Sequence, residues 1–136
     1  MARPSFALAA PRPQSLVVTI LGAAALATFA AHTLKLRMPQ RGKITGVTLN
    51  VGGRGGTHSV STLQVQNAGT SVLTAAFDIA ALTPGTPVDK EGSALAAAAD
   101  DVAKDAELRI VTAESGGTSP TWQNVTVQID FVPLGD

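Results

Sequence analysis

No cysteine and no tyrosine occur among the 136 residues, and tryptophan occurs once. The missing cysteine excludes disulfide stapling, thiolate catalysis and cysteine-based zinc sites. With one Trp and four Phe, the chain has almost no stacking platforms for nucleic-acid bases or sugars. Long charged helix formers are also few, since Asp, Glu, Lys and Arg together make up only 15%. Ala, Gly, Thr and Val take their place, a composition that suits short strands and tight turns. A chain of this length buries roughly two-thirds of its unfolded surface as one domain, so a core is attainable without metals or cross-links.

Acidic residues are absent from the whole first half. Every Asp and Glu lies at or after Asp78, whereas Arg3, Arg12, Lys35, Arg37, Arg41, Lys43 and Arg54 precede it. Residues 1–77 therefore carry +7; residues 78–136 hold three basic against ten acidic groups, or −7, and the total is zero. Two readings stay open. A folded domain can interleave the halves and cancel the field, or a basic N-terminal arm can seek an acidic surface, that of a neighbouring copy included.

The start imitates a secretion signal: early arginines, the apolar run Ser15–Ala31 and an alanine-rich exit. Pro4, Pro11 and Pro13 oppose a helical start, because proline and the residue before it favour extended backbone. The uncharged run Gln14–Leu34 reaches the ~20 residues of a membrane span. It is diluted, however, by Thr19, Gly22, Thr28, His32 and Thr33, and Leu16-Val17-Val18-Thr19-Ile20 reads as a buried strand. The expectation is an extended arm and strand over residues 1–31 and a β domain over residues 32–136, with no membrane partner.

From His32 onward the period is two. Leu34, Leu36 and Met38 alternate with Lys35 and Arg37; Val47, Leu49 and Val51 alternate with Thr48 and Asn50, and a bulge at Gly46 accounts for Ile44 being out of step. Gly52–Gly56 reads as a flexible connecting loop. Val60, Leu63 and Val65 follow, then the turn Asn67-Ala68-Gly69 and a hairpin return through Val72-Leu73. Phe77–Leu82 is a further strand candidate, and residues 93–107 stay open between a short helix and a strand. Leu108, Ile110 and Thr112 alternate with Arg109 and Val111, and Ser115–Pro120 reads as a loop. The final segment, Trp122–Val132, places Val125, Val127, Ile129 and Phe131 on one face without a fault. The pattern predicts an all-β sandwich or barrel of about seven or eight short strands.

Candidate sites are few. Gly52–Gly56 lacks the Gly-Lys-Ser/Thr ending and the following helix of a phosphate loop. Nothing in sequence links His32 or His58 to a serine and an aspartate, and Ser59 belongs to the opposite strand face from His58. Asp100, Asp101, Asp105 and Glu107 lack the alternating spacing of a calcium loop and read as a solvated acidic face. Trp122 reads as a partly buried core or rim residue, with a partner contact as the functional alternative. Asn124-Val125-Thr126 matches a glycosylation acceptor only formally, because it sits within a strand. No catalytic, cofactor-binding or metal residue is assigned, no cofactor is expected, and the chain is read as a non-enzyme.

The run KITGVTLNVGGRGGTHSVSTLQVQNAGTSVLT resembles small β-sandwich virion proteins of tailed bacteriophages. In these a strand leads through a Gly-rich loop to a second strand and a hairpin, for which Asn67–Leu73 stands here with Ala68 inserted. Asp105–Ile110 and the closing TWQNVTVQIDF are similar to their later strands, so the likeness covers about residues 42–132. The resemblance implies a jelly-roll-like antiparallel β-sandwich with an extended N-terminal arm. It further implies a capsid decoration (cement) protein on the capsid exterior, bound to the major capsid protein and to copies of itself, with no nucleic acid. The competing expectations are a carbohydrate-binding adhesin module of a tail or fibre, and a secreted bacterial surface domain.

Overall fold

Ten strands form two antiparallel five-stranded sheets among the residues that the computed structural model describes, 12–25 and 33–134. The first sheet has the order β1 (Gln14–Ala25), β10 (Thr118–Pro133), β3 (Gly42–Thr57) and β7 (Val88–Glu91), with β8 (Asp101–Val102) also on β3. The second has the order β2 (Thr33–Arg37), β9 (Glu107–Ser115), β4 (Val60–Asn67) and β5 (Thr70–Ser71), with β6 (Phe77–Asp78) also on β4. First pairs with last, second with the last but one, and so inward: β1 with β10, β2 with β9, β3 with β7 and β8, β4 with β5 and β6. A long hairpin rolled so that its strands fall alternately in two sheets has this pairing, which is that of a jelly roll.

The alternation read from the sequence fixes the inner faces. Val47, Leu49 and Val51 of β3 and Val125, Val127, Ile129 and Phe131 of β10 meet Leu63, Val65, Leu108 and Ile110 of the second sheet in one core. Met38, Val72, Leu73, Ile79 and Ala99 close it from the connections. The register of β10 on β3 shifts between Asp130 and Phe131, where Gly46 and Ile44 are the partners, so the extra residue is Thr45, next to the glycine singled out for a bulge.

Several expectations are corrected. Gly52–Gly56 is not a loop but the outer third of β3, with Gly53 opposite Gln123 and Gly55 opposite Thr121. The glycines serve close backbone approach: at Gly55 a Cβ would lie 2.6 Å from Thr121 Oγ1, and at Gly56 (φ 68°) it would lie 2.2 Å from the Ser119 carbonyl. Thr118–Pro120, read as loop, opens β10 instead. Val60 faces solvent. The strand expected over Phe77–Leu82 is two residues long, because the Asp78 side chain accepts the Ala80 N–H and starts a 3-10 turn, Ile79–Ala81. Residues 93–107 resolve into the end of a 3-10 turn (Gly92–Ala94), the short β8 and the beginning of β9. Leu16–Ile20, expected as a strand, is part of β1, which lies along β10 in the first sheet from Gln14↔Phe131 to Ala25↔Thr121. Residues 1–11 and 26–32, including His32, lie outside the described residues.

Candidate interaction surface

His58 is tied down at both ring nitrogens. Nε2 lies 3.1 Å from the Gly55 carbonyl, which can only accept, so Nε2–H donates; Nδ1 lies 3.1 Å from Ser61 Oγ, which donates to Glu114 Oε2 at 2.6 Å. Ser61 is completely buried. The hydroxyl thus sits between imidazole and carboxylate, whereas nucleophilic catalysis needs the imidazole between the other two. The arrangement pins the start of β4 to β9 and to the Gly55 backbone. Sequence reading set Ser59 on the opposite face and gave His58 no partner; the serine that meets the ring is Ser61, in step with buried Leu63 and Val65.

The acidic residues of positions 100–107 do not form one face. Arg41 holds Asp101 in a two-pronged contact (3.3 and 2.9 Å), Lys43 lies 3.8 Å from Asp100, and Glu107 takes both Lys35 (3.7 Å) and Arg109. Basic residues of the first half thus meet acidic residues of the second within one chain at three contacts, Arg41 with Asp101, Lys43 with Asp100 and Lys35 with Glu107. Asp100 is buried, and its carbonyl accepts the Ile44 N–H. Among the described residues no cluster of three or more His, Asp or Glu side chains is arranged to hold a metal ion.

The hydrogen bond from Arg41 holds the Asp101 carboxyl below the usual aspartate range, and that from Arg109 does the same for Glu107. A carboxylate depressed in the folded state stabilises it above the unfolded value and loses that contribution as pH falls through the folded one. Denaturant midpoints should therefore be flat near neutrality and decline below about pH 4. In an Asp101→Asn, Glu107→Gln variant that decline should be shallower, and a decline of equal slope would count against these pairs.

Trp122 is 1% exposed, so the alternative of a surface contact through its ring is withdrawn. It stands opposite Arg54, whose guanidinium crosses the end of the sandwich to the Ile79 carbonyl (2.8 Å) and the Ala80 carbonyl. Asn124 lies within β10 at φ 47°.

Edges and outer faces remain for recognition. β1 closes the first sheet, with β10 on one side and no strand on the other among the described residues. Leu16 and Val18 pack on the core while Val17, 58% exposed, points outward. Edge strands commonly carry lysine, proline or early bulges that deter pairing. Ser15–Thr19 has none, and its register shift comes only between Ile20 and Ala23. Sequence reading located this strand but missed its role as an edge, since strand order is not written in alternation. No helix among the described residues is long and apolar enough to cross a membrane.

No protein-family model and no curated protein matches the sequence. Among solved structures, a chain of the cyanophage Pam1 capsid asymmetric unit is similar in fold at a TM-score of 0.59 and 19% identity, over 92% of this chain and 87% of that one. FLHE matches at 0.42 and 14% identity, over 91% and 99% of the two chains. A chain of infectious bursal disease virus, Gx strain, matches at 0.37 and 15%, over 89% of this chain and 32% of the other. The first likeness supports the sandwich fold; the other two are too distant to add to it.

Proposed function

We propose that this chain is a structural virion protein of a tailed bacteriophage that decorates the capsid exterior, binding the major capsid protein through the open edge of β1. The observation that carries the reading is the likeness, over nearly the whole of both chains, to a chain of a cyanophage capsid asymmetric unit. The edge supplies a mechanism: an extended capsid segment can add a strand there, main-chain hydrogen bonds giving affinity and Val17 an apolar anchor. The adhesin reading is disfavoured because Trp122, Phe77 and Phe131 are all enclosed in the core, which leaves no ring among them to stack on a sugar.

The test is co-sedimentation with capsids stripped of the protein. The native chain should pellet in fixed ratio to the major capsid subunit. Val17→Lys should abolish most of that binding while changing stability by no more than about 0.5 kcal/mol, as surface substitutions usually do. Failure of the native chain to pellet would refute the capsid reading; full binding by Val17→Lys would refute the role of β1.

A further inference from the structure

The outer faces of the two sheets carry opposite charge. On the first sheet, strand register aligns Ser15, Asp130, Gly46 and Glu91 in one row and Val17, Gln128, Thr48 and Asp89 in the next. Val47 and Leu49 are buried, so these rows lie on the solvent side. Contacts confirm the placement: Thr48 Oγ1 donates to Asp89 at 2.6 Å, and Ser15 Oγ and Gln128 Nε2 donate to Asp130 at 2.6 and 2.9 Å. Every charged residue in the two rows is acidic. Asp89 and Glu91 are separated by two positions, roughly 7 Å, and Asp130 and Glu91 by two strand spacings, roughly 10 Å. The first separation lies within the Debye length of about 8 Å at physiological salt, and the second just beyond it. Lys90 turns away, its ammonium 5.3 Å from the Phe77 ring centroid, and Lys43 serves Asp100.

On the second sheet, Lys35 stands directly opposite Arg109, and Arg37 opposite Glu107. Leu36 and Leu108 face the core, so these four charges lie outward, three cations against one anion. Asp78, at the far margin of the sheet, is engaged with the Ala80 N–H. Like charges directly opposite on a sheet repel. Glu107 offsets this only in part, because it is shared between Lys35 and Arg109.

We infer that the acidic face of the first sheet, centred on Asp89, Glu91 and Asp130, docks on the basic face of the second sheet, centred on Lys35, Arg37 and Arg109, of a second copy of this chain. Each face then neutralises the repulsion stored on the other. A two-fold contact would set like charge on like, so the interface is heterologous and its repetition closes a ring or runs on as a row. The inference does not depend on the capsid reading, because it concerns the chain alone.

Sedimentation velocity on the purified chain provides the test. Self-association should be present at low salt and weaken steeply at about 0.5 M, where exposed charges are screened within a few ångströms. The double variants Asp89→Lys, Glu91→Lys and Lys35→Glu, Arg37→Glu should each associate about tenfold more weakly, the worth of a few exposed ion pairs. Mixed one to one, the two variants should associate again, since one then carries two basic faces and the other two acidic ones. Circular dichroism of each variant controls for folding. A native chain that is monomeric at low salt, or whose association ignores salt, would overturn the inference. So would folded variants that associate like the native chain or fail to associate when mixed.

Discussion

Replacing Ile129 by alanine should cost about 2–5 kcal/mol of unfolding free energy, whereas Gln128→Ala next to it should stay within about 0.5 kcal/mol. Ile129 is 1% exposed, in the middle of β10, with β1 on one side and β3 on the other. Its partners Leu16 and Val47 lie on the same core side. Truncation therefore leaves a cavity lined on both flanks, and the neighbouring strands cannot close on it without breaking register. Gln128 belongs to the outer row with Val17 and Thr48, and its amide reaches only Asp130. Urea denaturation of both variants decides the matter. Similar losses at the two positions would mean that the outer face of the first sheet is as enclosed as the inner one.

That pair also marks what could be read without a structure. Val125, Val127, Ile129 and Phe131 announce a buried face because a strand's side chains alternate and the core takes every second one. The same rule found Leu108 and Ile110, and the Asn67-Ala68-Gly69 turn revealed itself through Asn67 and Gly69, although the positive φ falls on Ala68 (49°) and Gly69 (92°). Gly52–Gly56 misled for a physical reason. A run of glycines has no side chains to alternate, and freedom in the unfolded chain looks the same whether the folded backbone is a loop or a strand pressed against Ser119 and Thr121. Phe77–Leu82 misled because a single side-chain cap from Asp78 outweighed β propensity over three residues.

The candidate surfaces were less legible than the core. Charge asymmetry between the halves was visible at once, but its use depends on which strands become neighbours. Lys35 meets Glu107, 72 positions later, only because β2 pairs with β9. The two charged faces arise from the same non-local pairing: Asp89, Glu91 and Asp130 come together through β3 and β10, and nothing in their spacing announces it. His58, Ser61 and Glu114 are joined likewise across β4 and β9.

Deleting residues 1–25 should unfold the domain or drive it into aggregates, although sequence alone suggested that a separable arm ends near residue 31. β1 is hydrogen-bonded along β10 from Gln14 to Ala25, and Leu16 and Val18 pack on the core. Full burial of such side chains is worth about 1.5–3 kcal/mol each, and each net ladder hydrogen bond adds about 0.5–1.5 kcal/mol. Even half of that sum is a large share of the 5–15 kcal/mol that typically holds a domain together. The deletion would also bare the edge of β10, the strand that carries Trp122, Val125, Val127, Ile129 and Phe131, and make it a template for pairing with other chains. Thermal unfolding followed by circular dichroism should show no cooperative transition, or one lowered by more than about 10 °C at roughly 2–8 °C per kcal/mol. Val17→Lys, which leaves β1 in place, should melt like the native chain. The two variants together separate the strand's part in folding from its part in binding. A truncated chain that stays monomeric and melts at the native temperature would mean that β1 is an appendage, with the fold complete from β2 onward.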